Sequence, residues 1–280
     1  MIELGAVGSI PSPPLNGVHA GPFTLRAYGL MYVVGLLTAI AITARRWRRA
    51  GGDGELVKEA ATWGFAAGIV GARLNHVATS WERVPHQWWG TFAVWRGGLA
   101  IWGGIVCGTL AGSFVVRRRG ADLARFLDAA APAMLVGQSI GRIGNYFNQE
   151  LFGAPSTLPW ALRIAPADRP PGYEQYATFH PTFLYEIVWN LLVAALLVRL
   201  GRRRHIHPPG LFALYVVGYS LGRVGEEQMR IDPAHHLLGM RFNFWLAGIV
   251  CLTGIGWFAW TQRRPRPRVT RAASSGAPAG

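Results

Sequence analysis

Charge is scarce in this chain, and acid is scarcer than base. Only 15% of its residues are charged, whereas a soluble domain carries about a quarter. The 14 acidic residues stand against 28 lysines and arginines, a net charge of +14. Cysteine is nearly missing. Cys107 and Cys251 each lie in an apolar run, and neither CxxC nor HxxxH spacing occurs. A disulfide framework and a zinc site are therefore unsupported, and both cysteines read as small packing residues. Met1 to Phe23 has no basic stretch followed by an apolar one, so no cleaved signal peptide is expected. No internal repeat is visible, which weighs against an anion transporter built from matching halves.

Apolar residues are abundant. They make up 51% of the 280 residues and recur in runs of roughly 20, the length that crosses a bilayer as a helix. The runs predict seven spans: Leu25–Ala44, Val57–Ser80, Gly97–Val116, Phe126–Gly144, Thr182–Leu200, Gly210–Gly225 and Phe242–Thr261. The fourth is interrupted by Pro132 and Gly137, and the sixth is short. An all-α membrane protein of seven transmembrane helices with an external head region is the expected fold class. Residues 1–24 read as an external N-terminal arm, 25–261 as the transmembrane domain, and 262–280 as a basic, disordered cytoplasmic tail.

So basic a chain could bind nucleic acid. Here, however, the arginines punctuate apolar spans, so no nucleic-acid partner is expected. With seven spans, the clusters Arg45–Lys58, Arg117–Arg125, Arg199–Arg204 and Arg263–Arg271 all fall on one side. The positive-inside rule puts that side, with the C-terminus, in the cytoplasm and the N-terminus outside. The connection 145–181 then lies outside and is long enough to be functional. Trp81, Trp88, Trp89 and Trp95 read as an interfacial belt.

Polar groups inside these spans are costly unless paired or bound to a ligand. The sixth span carries Tyr219, Arg223, Glu226, Glu227 and Arg230. At helical spacing their angles are roughly 0, 40, −20, 80 and 20°, one face if the helix persists that far. The residues alone leave two uses open: a salt-bridge lock, or a polar site. Arg73 and Arg142 add cations at the ends of other spans, and His180 to Glu186 open the fifth. His180 reads as a helix-start hydrogen-bonding group or a catalyst, Glu186 as the partner of an arginine or a reacting group, and Asp128 is undecided. Arginine suits a phosphate ester because its planar fork offers paired donors and stays charged. The glycines Gly97, Gly98, Gly103, Gly104, Gly108 and Gly112 either let helices approach closely or clear room for lipid tails.

Gly141 to Gly153, with its pattern Gly-Arg-x-Gly-Asn-x-x-Asn-x-Glu-x-x-Gly, resembles the signature of the prolipoprotein diacylglyceryl transferases. The likeness runs from about Gly21 to Trp260 and takes in Arg26–Tyr32, Gly71–Leu74, Gly98–Gly104, His180–Glu186 and Gly218–Arg230. It implies a bacterial inner-membrane enzyme that moves the diacylglyceryl group of phosphatidylglycerol to the lipobox cysteine of a prolipoprotein. It further implies catalytic roles among Arg142, Arg223, Glu227, Tyr219 and Glu150, phosphatidylglycerol binding by Arg142, Asn145, Gly153, Tyr28 and Arg230, and no metal or cofactor. One position departs from the pattern. Trp102 stands where many members carry a histidine before the second Gly-Gly of the third span, and indole cannot accept a proton. The alternative is a non-catalytic lipid- or anion-binding relative.

Overall fold

Seven long helices make up most of the chain in this computed structural model, which describes residues 9–263 apart from 14–15, 21–22, 84–86, 88, 95–96 and 204–205. They are α1 (Ala27–Arg49), α2 (Gly54–Thr79), α3 (Ile101–Arg118), α4 (Leu123–Asn148), α5 (Thr182–Arg203), α6 (Gly210–Met229) and α7 (Phe242–Arg263). Trp88, Trp95, Arg204 and the tail beyond Arg263 lie outside the described residues. By length and composition α1, α5 and α7 are apolar enough to cross a membrane. The other four are diluted by glycine, polar groups or terminal arginines. Leu37, Leu110, Phe114, Ile249 and Leu252 are exposed on the helix surfaces. An apolar exterior of that extent calls for lipid around it.

Local chemistry marks the helix ends. Asp53 caps α2 by accepting from the Glu55 amide at 2.9 Å. Asp122 caps α4 by accepting from Ala124 and Arg125. Arginines fill the last turns of α1, α3 and α5, where the helix dipole favours cations.

α4 runs straight through the two residues expected to interrupt it. Pro132 has no N–H, which frees the Asp128 carbonyl one turn earlier. Arg46 of α1 donates to Ala129 O at 2.9 Å and to Asp128 O at 3.4 Å, so a neighbouring helix satisfies those carbonyls. Gly137 lies against Gly35 of α1, where an added Cβ would come within 2.9 Å of the Gly35 carbonyl oxygen. α4 thus continues to Asn148 and ends on Gln149 at φ 49°. The first half of the Gly141–Gly153 stretch is therefore helical, and only its second half leaves the helix.

α2 and α3 pack on each other far more than on the rest, while α4 touches α1, α5 and α6. The α2–α3 contact is made by glycine backbones. A Cβ on Gly108 would sit 2.9 Å from Gly64 O, and one on Gly64 would sit 3.2 Å from Gly108 O. Close approach, the first of the two uses open to these glycines, is what they provide here.

The two ends of the bundle differ. At one end the close of α1, the start of α2, the close of α3 and the start of α4 meet around Trp47, Leu56, Val57, Val115, Val116 and Ala129. Asp128 is there too, accepting from the Phe212 amide at 2.9 Å. At the other end residues 149–181 form a small lobe, not an open loop. Its strands β3 (Leu162–Arg163) and β4 (Thr178–Phe179) pair antiparallel, and Phe152, Leu162, Ile164 and Phe179 are buried together. Two further hairpins complete this end, β1 (Gly17–Ala20) with β2 (Phe23–Arg26) and β5 (His236–Leu237) with β6 (Met240–Arg241).

Candidate functional site

The closing turns of α4 and α6, the first turn of α5 and the turn before α7 bring four guanidinium groups together with four carboxylates. Glu186 of α5 sits between two helices. Its Oε2 lies 2.7 Å from Arg142 Nε of α4 and 3.6 Å from Arg223 Nη1 of α6. Arg223 also pairs with Glu226 and Glu227, one turn further along its own helix. α6 runs to Met229, so the helical spacing that aligned Tyr219, Arg223, Glu226 and Glu227 is realised. Arg230 lies just beyond the helix.

Glu227 has no side-chain exposure and meets three arginines: Arg223, Arg230 at 3.5 Å and Arg241 at 2.7 Å. Asp232 receives two hydrogen bonds from Arg230, at 2.7 and 2.8 Å, and one from Arg241 at 2.9 Å. Burial alone would raise the Asp232 carboxyl. The hydrogen bonds and charges of Arg230 and Arg241 outweigh it and hold the group below the usual aspartate value. Removing either sign from such a set would strand a buried charge. Arg142 and Arg223 are the more accessible of the four guanidiniums, at 18% and 16% side-chain exposure against 9% for Arg230 and for Arg241.

A second network adjoins the first. Arg142 Nη1 donates to Asn145 Oδ1 at 3.2 Å. Asn145 Nδ2 donates to Glu150 Oε1 at 2.9 Å, and Asn148 Nδ2 to the same oxygen at 3.2 Å. Every polar residue at these signature spacings thus orients the next. Tyr28 opens α1 against this group. Its ring would lie 2.9 Å from a Cβ on Gly144, and its hydroxyl donates to Tyr32 at 3.1 Å. Tyr219 is one turn below Arg223 and stacks on Tyr215, with ring centroids 6.2 Å apart.

Gly153 joins the lobe to the bundle. Its N–H is donated to His180 O at 2.9 Å, and it bridges to Arg230. A Cβ there would meet His180 Cβ at 2.9 Å and Met229 O at 3.0 Å, so only glycine fits. His180 Nδ1 lies 3.1 Å from the Tyr185 hydroxyl, and Thr182 donates to Leu151 O.

Several residues stand apart from the cluster. Arg73 does not join it. Its guanidinium is spent on the carbonyls of Gly90, Thr91, Gly97 and Gly98 at 2.5 to 3.1 Å, which pin the segment before α3. Trp102 is about half exposed in the first turn of α3. Asp128 lies at the opposite end of the bundle. Sequence reasoning missed Asp232 and Arg241. A signal existed: Arg241 immediately precedes an apolar span, on the side that the other arginine clusters avoid. Among the described residues no group of three or more His, Cys, Asp or Glu could hold a metal ion.

Known proteins are similar to this chain in sequence. Residues 16–260 match the family described as prolipoprotein diacylglyceryl transferase. A phosphatidylglycerol–prolipoprotein diacylglyceryl transferase of Frankia alni is 48% identical over 255 residues, covering 88% of this chain and 66% of that protein. The chain thus spans just under two thirds of that relative's length. The Cutibacterium acnes protein of the same name is 45% identical over 249 residues, covering 88% of this chain and 84% of its own. The one from Mycobacteroides abscessus is 39% identical over 289 residues, covering 96% and 82%. With the match running through all seven helices and the ion cluster, the chain belongs to the prolipoprotein diacylglyceryl transferase family.

Proposed function

We propose that this protein transfers the diacylglyceryl group of phosphatidylglycerol to the thiol of a prolipoprotein's lipobox cysteine. All seven helices span the bacterial cytoplasmic membrane in this reading. The ion cluster and the lobe 149–181 face outward, and the arginine-rich end faces the cytoplasm. The names of the relatives support the activity, and the single observation that carries the site is the position of Glu186. One carboxylate oxygen lies within 3.6 Å of guanidiniums from two helices. A phosphate oxygen entering there meets Arg142 and Arg223 together.

The chemistry is displacement at carbon. The cysteine sulfur, as thiolate, forms a bond to the glyceryl carbon. The carbon–oxygen bond to phosphate breaks, and glycerol phosphate leaves with the electron pair. Arg142 and Arg223 stabilise charge growing on the leaving oxygens. Both are already oriented, Arg142 by Asn145 and Glu186, Arg223 by Glu226 and Glu227. The thiol proton passes to a carboxylate, with Glu150 and Glu227 as the candidates. Glu227 is encased by three arginines, which favours an orienting role for it. Tyr28, Asn145 and Tyr219 hold the glycerol hydroxyl and ester groups. Trp102, exposed on α3, has no part in proton transfer.

The test is mass spectrometry of a lipobox peptide incubated with purified protein and phosphatidylglycerol. A thioether-linked diacylglyceryl product is expected from the wild type and not from Arg142→Ala or Arg223→Ala. Undiminished rates in both variants would overturn the assignment.

A further inference from the structure

At the end of the bundle away from the ion cluster, α1 and α5 both pack on α4 but scarcely on each other. The gap between them is a groove of about 570 Å³. Pro132 and Val136 of α4 form its floor, and Ala194 and Ala195 keep the α5 wall low. Its mouth carries Arg199, Arg202 and Arg203, all exposed. Among the described residues none of these three pairs with a carboxylate. Arg202 lies near enough to Arg46 for the two charges to repel. Asp128, the nearby acid, already accepts the Phe212 amide.

We infer that this groove binds an anionic phospholipid from the leaflet opposite the ion cluster. Three unpaired guanidiniums supply the donors that a phosphate takes. Behind them an apolar channel rises along α4 and α5, as an acyl chain requires and a free anion does not. A basic mouth between helices on the arginine-rich side is the general form of such lipid sites. A positively charged peptide segment would be repelled by the same arginines. The inference needs only that the bundle spans a bilayer, and it stands apart from the transferase reading.

The full chain in neutral detergent, titrated with phosphatidic acid and followed by native mass spectrometry, tests it. The wild type is expected to bind, and phosphatidylcholine to bind at least tenfold more weakly. The triple variant Arg199→Gln, Arg202→Gln, Arg203→Gln should weaken phosphatidic acid at least tenfold. Ala195→Phe, which fills the groove but keeps every arginine, should do the same. Arg142→Ala should lose transferase activity and keep this binding event; that pattern separates failure of one reading from failure of the other. Undiminished binding in both groove variants would overturn the inference. So would equal binding of phosphatidylcholine, or inorganic phosphate binding as tightly as the lipid.

Discussion

Arginine does opposite things at the two ends of this bundle. At one end Arg142, Arg223, Arg230 and Arg241 are largely buried, and each meets at least one carboxylate. At the other, Arg199, Arg202 and Arg203 are exposed around an apolar groove with no acid partner among the described residues. The ion pairs that do occur there, Arg119–Glu59, Arg125–Asp122 and Lys58–Glu55, are largely solvent-exposed and contribute little. The same side chain is therefore a fixed structural and chemical element where helices surround it. At Arg199, Arg202 and Arg203 it is exposed, with no acid partner among the described residues.

The sharpest way to break this contrast is to remove the acid that three arginines share. Glu227→Ala leaves Arg223, Arg230 and Arg241 without their common partner. A loss of about 3–5 kcal/mol is expected, read as a collapse of thermal stability in detergent. A variant as stable as wild type would mean that the pairs carry no structural load. Arg142→Ala and Arg223→Ala come next. Transferase rates should fall about 10²–10³-fold while the protein still inserts, as judged by membrane fractionation. At the opposite end Arg203→Gln should leave turnover within about twofold, because Arg203 lines the groove away from the ion cluster and has no carboxylate partner among the described residues.

Acid should also tell the two ends apart. Arg230 and Arg241 depress the Asp232 carboxyl. Its contribution is fully present above the unfolded aspartate value, about 3.9, and is lost as pH falls through the lower folded value. Thermal melts from pH 6 downward should show that loss in the wild type, and less of it in Asp232→Asn. The smallest effect is expected at Trp102. Trp102→His should change turnover and stability little, since the side chain is half exposed. A large gain in turnover would instead mean that the tryptophan holds the proposed activity down.

Helix positions were legible in the chain because bilayer-length apolar runs are a one-dimensional signal. The predicted Thr182–Leu200 span, for instance, is the helix Thr182–Arg203. Pro132 misled, because the group that satisfies its freed carbonyl is Arg46, more than 80 residues away. Periodicity grouped Tyr219, Arg223, Glu226 and Glu227, since they share one helix. It could not supply Arg241 and Asp232, which reach Glu227 and its arginines only after α6 turns into α7. Arg73 went the other way. Its charge suggested a site, while its neighbours turned out to be backbone carbonyls.

The amino-acid order alone determined that this chain would form long apolar helices with its cations gathered toward one end. Both properties follow from local composition and spacing. Only the packing of α4, α5, α6 and the turn before α7 decided which arginines meet acids and which, among the described residues, do not. Charge interactions depend on separation through a medium of low dielectric, and separations between helices are set by the whole fold.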